Sequence, residues 1–336
     1  MSTEKPVARR VLIALVVVLL VAAVIPVRKV IRSLLCRPPA LSVVDDPAQI
    51  DGRHFELLEL DPSQWVRQYA PERSHAGYNL VMYRRRVPLI IDMNGRVVHS
   101  WPEVRATGRI RLNRDGSLVV IGIDNLIKEY TWTGELTWFF QLADKHDSPH
   151  HDLIRMRCGN YMVLAHDGHS YADYFLEVDR GGEVVWEWRF EDHTADFPTW
   201  DAESKDPSHT NSIRELPPNR WHAAGDERFR PGNILASARS LNTIFIIDKS
   251  SGEVVWTYSK GLDGQHEAVM VERGNLGAGL VIVFGYGGAL SGIGTRFGEV
   301  LLDPFSEYAF SDWGAAWEYN EDMADQKFQN SFLVAV

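Results

Sequence analysis

Three histidines stand at equivalent places in this chain. His150, His209 and His266 each lie four residues before the apolar residue that closes a matching phrase: HHDLI ends at Ile154, HTNSI at Ile213 and HEAVM at Met270. An imidazole titrates near neutral pH, so it can donate a proton, accept one or attack as a nucleophile. Arg239, in SARSLNTI, adds a cation whose planar fork matches sulfate, phosphate or carboxylate. We expect it to be buried or to face the channel. Such a set suits metal binding or anion chemistry. Three imidazoles can hold zinc, but a guanidinium repels a dication, and no HExxH or carboxylate cluster accompanies them. The expectation is therefore no metal and no cofactor. Asp152 is the nearest acid and is expected to orient a ring.

These side chains can meet only if the fold repeats. One recurring phrase is GRVVHSW at Gly95–Trp101, GELTW at Gly134–Trp138, and GEVVW at Gly182–Trp186 and at Gly252–Trp256. Asp, Asn or Gly precedes each copy, which is hairpin-turn chemistry. The other phrase is a glycine followed by an apolar strand: DGSLVV at Asp115, GNYMVL at Gly159, GNILAS at Gly232 and GLVIVF at Gly279. An insertion, Pro217–Arg230, stretches the last interval.

Short alternating strands at a period of roughly 40–50 residues predict an all-β fold, a six-bladed β-propeller. Its units start near Tyr78, Ala106, Ser148, Asp206, Gly264 and Trp317. The C-terminal strand is expected to pair with the N-terminal strands in one blade, which removes exposed sheet edges. Innermost strands line the central channel, so one repeat slot converges on the axis. The slot holds Thr107 and about Phe328 in other units, so histidine is not what the fold itself demands there. The tryptophans read as inter-blade packing. His166 and His169, in AHDGHSYADY, read as part of a polar loop.

The segments HHDLIRMRCGNYMVLAHD, HTNSIREL, GNILASARSLNTIFIIDKSSGEVVWTY and GQHEA resemble the bacterial PAPS-independent arylsulfotransferases of the propeller type, over roughly Tyr78 to Phe284. The resemblance implies a six-bladed propeller acting outside the cytoplasm, and sulfuryl transfer between phenol esters and phenols through a sulfated histidine. It assigns the nucleophile to His266 and the sulfate-gripping arginine to Arg239. It makes His209 and His150 further catalytic histidines, the slot argument favouring His150 over its neighbour. His151 and Asn211 are then substrate-binding. Two departures stand out. The family's Phe-Asp-Asn-Gly phrase reads FGYG at Phe284–Gly287, and the last blade is short. They motivate an alternative: a non-catalytic propeller that braces a larger membrane complex, such as an energy-transducing or light-harvesting assembly.

The N-terminus reads as an anchor. Val11–Val27 is an uncharged apolar run at the lower limit for a spanning helix, and Pro38-Pro39 ends its extension. The expected organisation is tail and anchor over 1–37, a linker or stalk over 38–77, and the propeller over 78–336. The partners are the lipid bilayer, a phenolic sulfate and, in the alternative, a membrane complex. The anchor is expected in the inner membrane with the body in the periplasm. The formal net charge is −10, and Lys5, Arg9, Arg10, Arg28, Lys29, Arg32 and Arg37 crowd the N-terminus, so the body is more acidic still. Nucleic acid is thereby excluded as a partner. Two cysteines, Cys36 and Cys158, exclude a disulfide scaffold and a cysteine-rich zinc site.

Overall fold

A computed structural model describes residues 66–69, 71, 77–83, 86–275 and 277–285, and beyond them strand segments at 298–302, 309–310, 317–319 and 332–334. The expected anchor, most of the linker, Tyr286, Gly287 and Phe328 lie outside the described residues. Among the described residues no helix is long and apolar enough to cross a membrane.

The chain is all-β and built from successive antiparallel meanders. Strand β1 (Val66–Tyr69) comes first, inside the stretch expected as linker. Then follow β2 (Tyr78–Tyr83), β3 (Val87–Asp92) and β4 (Val97–Ser100), and a second set, β5 (Ala106–Leu112), β6 (Leu118–Gly122), β7 (Ile127–Tyr130) and β8 (Leu136–Phe140). The third set is β9 (Ser148–Arg155), β10 (Tyr161–His166), β11 (Asp173–Val178) and β12 (Val184–Arg189). The fourth is β13 (Thr210–Glu215), β14 (Ile234–Ala238), β15 (Thr243–Ile247) and β16 (Val254–Tyr258). The fifth is β17 (Ala268–Met270), β18 (Val281–Gly285), β19 (Gly298–Leu302) and β20 (Ala309–Phe310), before β21 (Trp317–Tyr319) and β22 (Phe332–Val334). Each set forms a four-stranded sheet in chain order; the first is completed by β22, and β21 pairs with β1. The pairing of β22 with β2 joins the two ends of the described chain, Leu80 opposite Phe332 and Tyr78 opposite Val334.

The repeat phrase folds for local reasons. At the β11–β12 turn Asp179 Oδ1 accepts from the main-chain N–H groups of Gly181 and Glu183 at 2.8 and 3.0 Å. Gly182 then takes φ 85°, a left-handed conformation that glycine adopts without a Cβ clash. Thr131 does the same work at β7–β8, where its hydroxyl accepts from Glu135 N–H at 3.0 Å and Gly134 sits at φ 90°.

Sheets pack face to face, and the tryptophans sit between them as expected. Trp101 packs with Leu80, Ile110 and Val120 across the first and second sheets. Trp138 packs with Tyr161 and Val163 across the second and third. In the third repeat Trp188 is the buried ring, 3% exposed, rather than the Trp186 of the phrase. Truncating such a ring costs roughly 3–5 kcal/mol. The expected alternation holds for outer strands such as β8, whereas β6, β10, β14 and β15 are almost continuously buried. A middle strand covered by sheets on both faces has no solvent side, so its sequence is a plain apolar run.

First strands of neighbouring sheets lie side by side, β5 by β9, β9 by β13 and β13 by β17. The row also curves back on itself. Arg109 of β5 reaches Glu267, just before β17, with two whole sheets intervening in sequence. The sheets are thus arranged as propeller blades around a shared centre.

Candidate active site

The phrases HHDLI and HTNSI enter their sheets through irregular backbone. Pairing slips between Val163 and Ala165 where β9 meets β10, and between Thr210 and Ser212 where β13 meets β14. Beside these bulges His151 has φ 49° and His209 has φ 43°. Left-handed backbone is uncommon for residues other than glycine, costs of order 1–3 kcal/mol, and concentrates at functional sites.

The shared conformation corrects the slot argument. Counting from Ile154 and Ile213 pairs His150 with His209, but the structural counterpart of His209 is His151. His209 lies four residues before Ile213 and His151 three before Ile154, so the irregularity in β13 between Thr210 and Ser212 carries one residue more. The His151 and His209 rings meet edge to face at 4.7 Å between centroids. His150 turns instead toward Asp173, with Nε2 2.9 Å from Oδ1, and toward His166, its ring 5.0 Å away.

Each of the three remaining sites ties down one ring nitrogen. His151 Nδ1 lies 2.6 Å from His150 Nδ1. His209 Nδ1 is bonded to Asp206 Oδ2, and His266 Nδ1 donates to the Gly264 carbonyl at 2.9 Å. The Nε2 atoms of His151 and His209 are buried with no hydrogen-bond partner among the described residues. Burial, reinforced by His150 and His209, lowers the His151 pKa to about 3. Burial also lowers that of His266; the Gly264 carbonyl opposes this, while Arg239, His209 and Arg109 push it further down. These couplings put His209 within electrostatic reach of both His151 and His266. At neutral pH His151 and His266 are uncharged imidazoles.

Arg239, expected to be buried or to face the channel, is not buried. It sits in the turn after β14, exposed, its main-chain N–H donating to the His209 carbonyl at 3.1 Å. Its guanidinium makes no hydrogen bond or ion pair among the described residues, and its charge is felt by His266. Asn211 is 4% exposed; its Nδ2 donates to the Gln265 carbonyl at 2.8 Å, tying β13 to the residue before His266. Its Oδ1 has no partner among the described residues.

Asp152 orients no histidine. It accepts from Arg109 Nε at 3.0 Å, Arg111 Nη2 at 2.7 Å, Arg214 Nη1 at 2.6 Å and the Ile213 N–H at 2.9 Å. Burial opposes its ionisation, but the three guanidiniums overcome that and hold it far below the usual carboxylate range. Arg109 and Arg214 also bridge to Glu267. Burial pulls Arg109 down to about 9, so it is still a cation at pH 7. The cluster sets three guanidiniums against two carboxylates, and burial and Arg111 lower the Arg214 pKa well below its usual range. The three arginines alternate with apolar residues in their strands, and nothing in the sequence marks them as one group.

A pocket of about 180 Å³ opens on His150, His151, His166, Tyr171, Lys205, Asp206 and His209. His166 was read as loop; it ends β10, bonds the Ser148 hydroxyl at 3.2 Å, and has its pKa lowered by burial and by His150. Asp206, three residues before His209, was discoverable from that spacing, while Asp173 and Lys205 had no local signal. Among the described residues no set of three or more His, Cys, Asp or Glu has the geometry of a metal site.

The pocket gathers His150, His151, His166 and His209, while His266 and Arg239 are not among its lining residues. The sequence profile described as Arylsulfotransferase (ASST) matches residues 66–271, and the chain belongs to that family. No curated protein matches it. Among solved structures it is similar to a protein of unknown function from Bacteroides caccae, at 14% identity over 70% of this chain and 72% of that one, with a TM-score of 0.46. It is also similar to the WD40 β-propeller domain of Doa1, at 14% identity over 68% of this chain and 62% of that one, with a TM-score of 0.43. The Cps50 (Swd1) β-propeller domain from Myceliophteria thermophila is 14% identical over 71% of this chain and 72% of that one, with a TM-score of 0.38.

Proposed function

We propose that this chain moves sulfuryl groups from one phenol ester to another phenol through a sulfated His266. The blades form a closed six-membered ring around the site. Val11–Val27 anchors it in the inner membrane, with the propeller outside the cytoplasm. The observation that carries the reading is His266 itself: a neutral, half-buried imidazole whose Nδ1 donates to the Gly264 carbonyl, beside the charge of Arg239, in an arylsulfotransferase-family chain.

The hydrogen bond from Nδ1 leaves the lone pair of the neutral ring on Nε2. Nε2 attacks sulfur, the bond from sulfur to the aryl oxygen breaks, and the electron pair leaves with that oxygen. Arg239 and the Arg109 guanidinium, whose charges are both felt at His266, stabilise the sulfuryl oxygens. A sulfate ester is anionic, so its arrival raises the pKa of the surrounding imidazoles, and His151 or His209 then carries a proton for the departing phenolate. In the second half-reaction the acceptor phenol gives its proton to that imidazole, and its oxygen takes the sulfuryl group from His266. One transfer is divided into two steps, which gives ping-pong kinetics.

The test is direct. Incubation of the full chain with nitrophenyl sulfate should give nitrophenolate and a sulfo adduct visible by intact mass. His266→Ala should abolish both. Absence of adduct and of turnover across varied acceptors overturns the proposal.

A further inference from the structure

Asp173, at the start of β11, is buried and has both carboxylate oxygens engaged. Oδ1 meets His150 Nε2 at 2.9 Å. Oδ2 accepts from the Ser208 hydroxyl and from the Thr210 main-chain N–H, each at 2.6 Å. Burial pushes its pKa up, but His150 and the hydrogen bonds pull it lower still, so the group is an anion. An anion only accepts, so His150 Nε2 carries a hydrogen. A neutral His150 then has its lone pair on Nδ1, and that atom faces His151 Nδ1 at 2.6 Å. His151 must therefore be the donor, with its own lone pair on Nε2, the buried atom without a partner beside His209.

We infer that Asp173 and His150 form a relay that fixes the tautomer of His151 and so sets which of its atoms serves the site as a base. The relay also disposes of a proton. When Nε2 of His151 takes one, its Nδ1 hydrogen passes to His150, where it makes an imidazolium against the Asp173 carboxylate. One proton enters, one moves on, and no charge is left on His151 next to His209. His151 acts on the substrate; His150 and Asp173 are positioning residues. The catalytic consequence rests on the sulfuryl-transfer reading, but the tautomer does not.

Asp173→Asn discriminates sharply. The Thr210 N–H can only donate, so it claims the amide oxygen and leaves the amide NH₂ facing His150. His150 Nε2 must then accept, its Nδ1 must donate, and His151 is driven to the Nε2–H form. Full-length protein labelled with ¹⁵N-histidine reports this by two-bond ¹H–¹⁵N correlation, with the His151 signals assigned by their loss in His151→Asn. Wild type should show Nδ1–H at His151, and Asp173→Asn should show Nε2–H. With nitrophenyl sulfate the variant should lose on the order of 10²–10⁴-fold in kcat, as for other misdirected catalytic imidazoles, with KM little changed. A wild-type His151 carrying hydrogen on Nε2 overturns the inference, and does so even if the variant fails to fold. So does a tautomer that ignores the substitution. If wild type shows the expected tautomer yet transfers nothing, the relay stands and the sulfuryl-transfer reading falls.

Discussion

Two polar layers of this protein are made by consecutive residues and behave in opposite ways. His151 is followed by Asp152, and His266 by Glu267. The two members of each pair reach different surroundings, the acid the arginines and the histidine other ring or main-chain partners. The acids join Arg109, Arg111 and Arg214 in a buried ionic knot in which Asp152 is 0% exposed and receives hydrogen bonds from all three guanidiniums. In the other layer His151 keeps a buried Nε2 without a partner among the described residues, left-handed backbone and a depressed affinity for protons, and burial lowers the pKa of His266 as well. The lesson is that polarity alone does not mark a site. The knot pairs opposite charges with one another, as a structural element does; the Nε2 atoms of His151 and His209 meet no such partner among the described residues, which is costly unless a ligand completes them.

The largest effect should come from cutting the knot. Asp152→Ala leaves three guanidiniums around an empty place, and breaking a buried ionic set from one side costs about 3–5 kcal/mol. His151→Asn should cost within about 1 kcal/mol, because Asn tolerates left-handed backbone and the replaced ring made few bonds. Urea unfolding of the two variants reads the contrast directly. Equal losses would mean that both layers are structural.

Acid sharpens the same comparison. His151 has its folded pKa lowered from 6.5 to about 3 by burial. The unfolded chain therefore binds the proton first, and stability falls as pH drops below about 6.5. Each such group contributes a slope of at most about 1.4 kcal/mol per pH unit. His166 and His266 shift in the same direction. Asp152 and Asp173, both lowered from 3.8, keep their contribution throughout this range and lose it only below about pH 4. Unfolding free energies measured from pH 7 to 4.5 should decline, and His151→Asn should flatten that decline by close to one group's share. An unchanged slope would show that His151 is protonated in the folded protein.

Much of the fold was legible because its causes are local. Turn glycines, the acids before them and the tryptophans after them act within a few residues, and the six unit starts read from them fall at or within about four residues of a strand. The site was legible in type but not in detail. His209, His266 and Asn211 lie near one another as the phrases suggested, yet the choice between His150 and His151 turned on a bulge, which adds a residue without altering the apolar count. Arg239 was expected to be buried or to face the channel; it lies exposed in the turn after β14. Asp173 and the arginines were invisible because their partners lie on or beside other strands, far away in the sequence.

The smallest effect is the most exacting, because it holds the chain segments constant. Arg109 pairs with Glu267 at 3.0 Å, and Arg114 pairs with Glu272 at 2.9 Å, across the same sequence separation between the same two regions. The first pair is buried; in the second the side chains are 71% and 53% exposed. Water screens the outer charges and holding two long side chains together costs entropy, so a double-mutant cycle on Arg114 and Glu272 should give a coupling of about 0–1 kcal/mol that fades in 1 M salt. Glu267→Ala alone should cost several times more, and salt should barely alter that cost. If the outer pair instead matched the inner one, distance rather than burial would be setting the strength of these bridges, and the knot would lose its distinction from the surface.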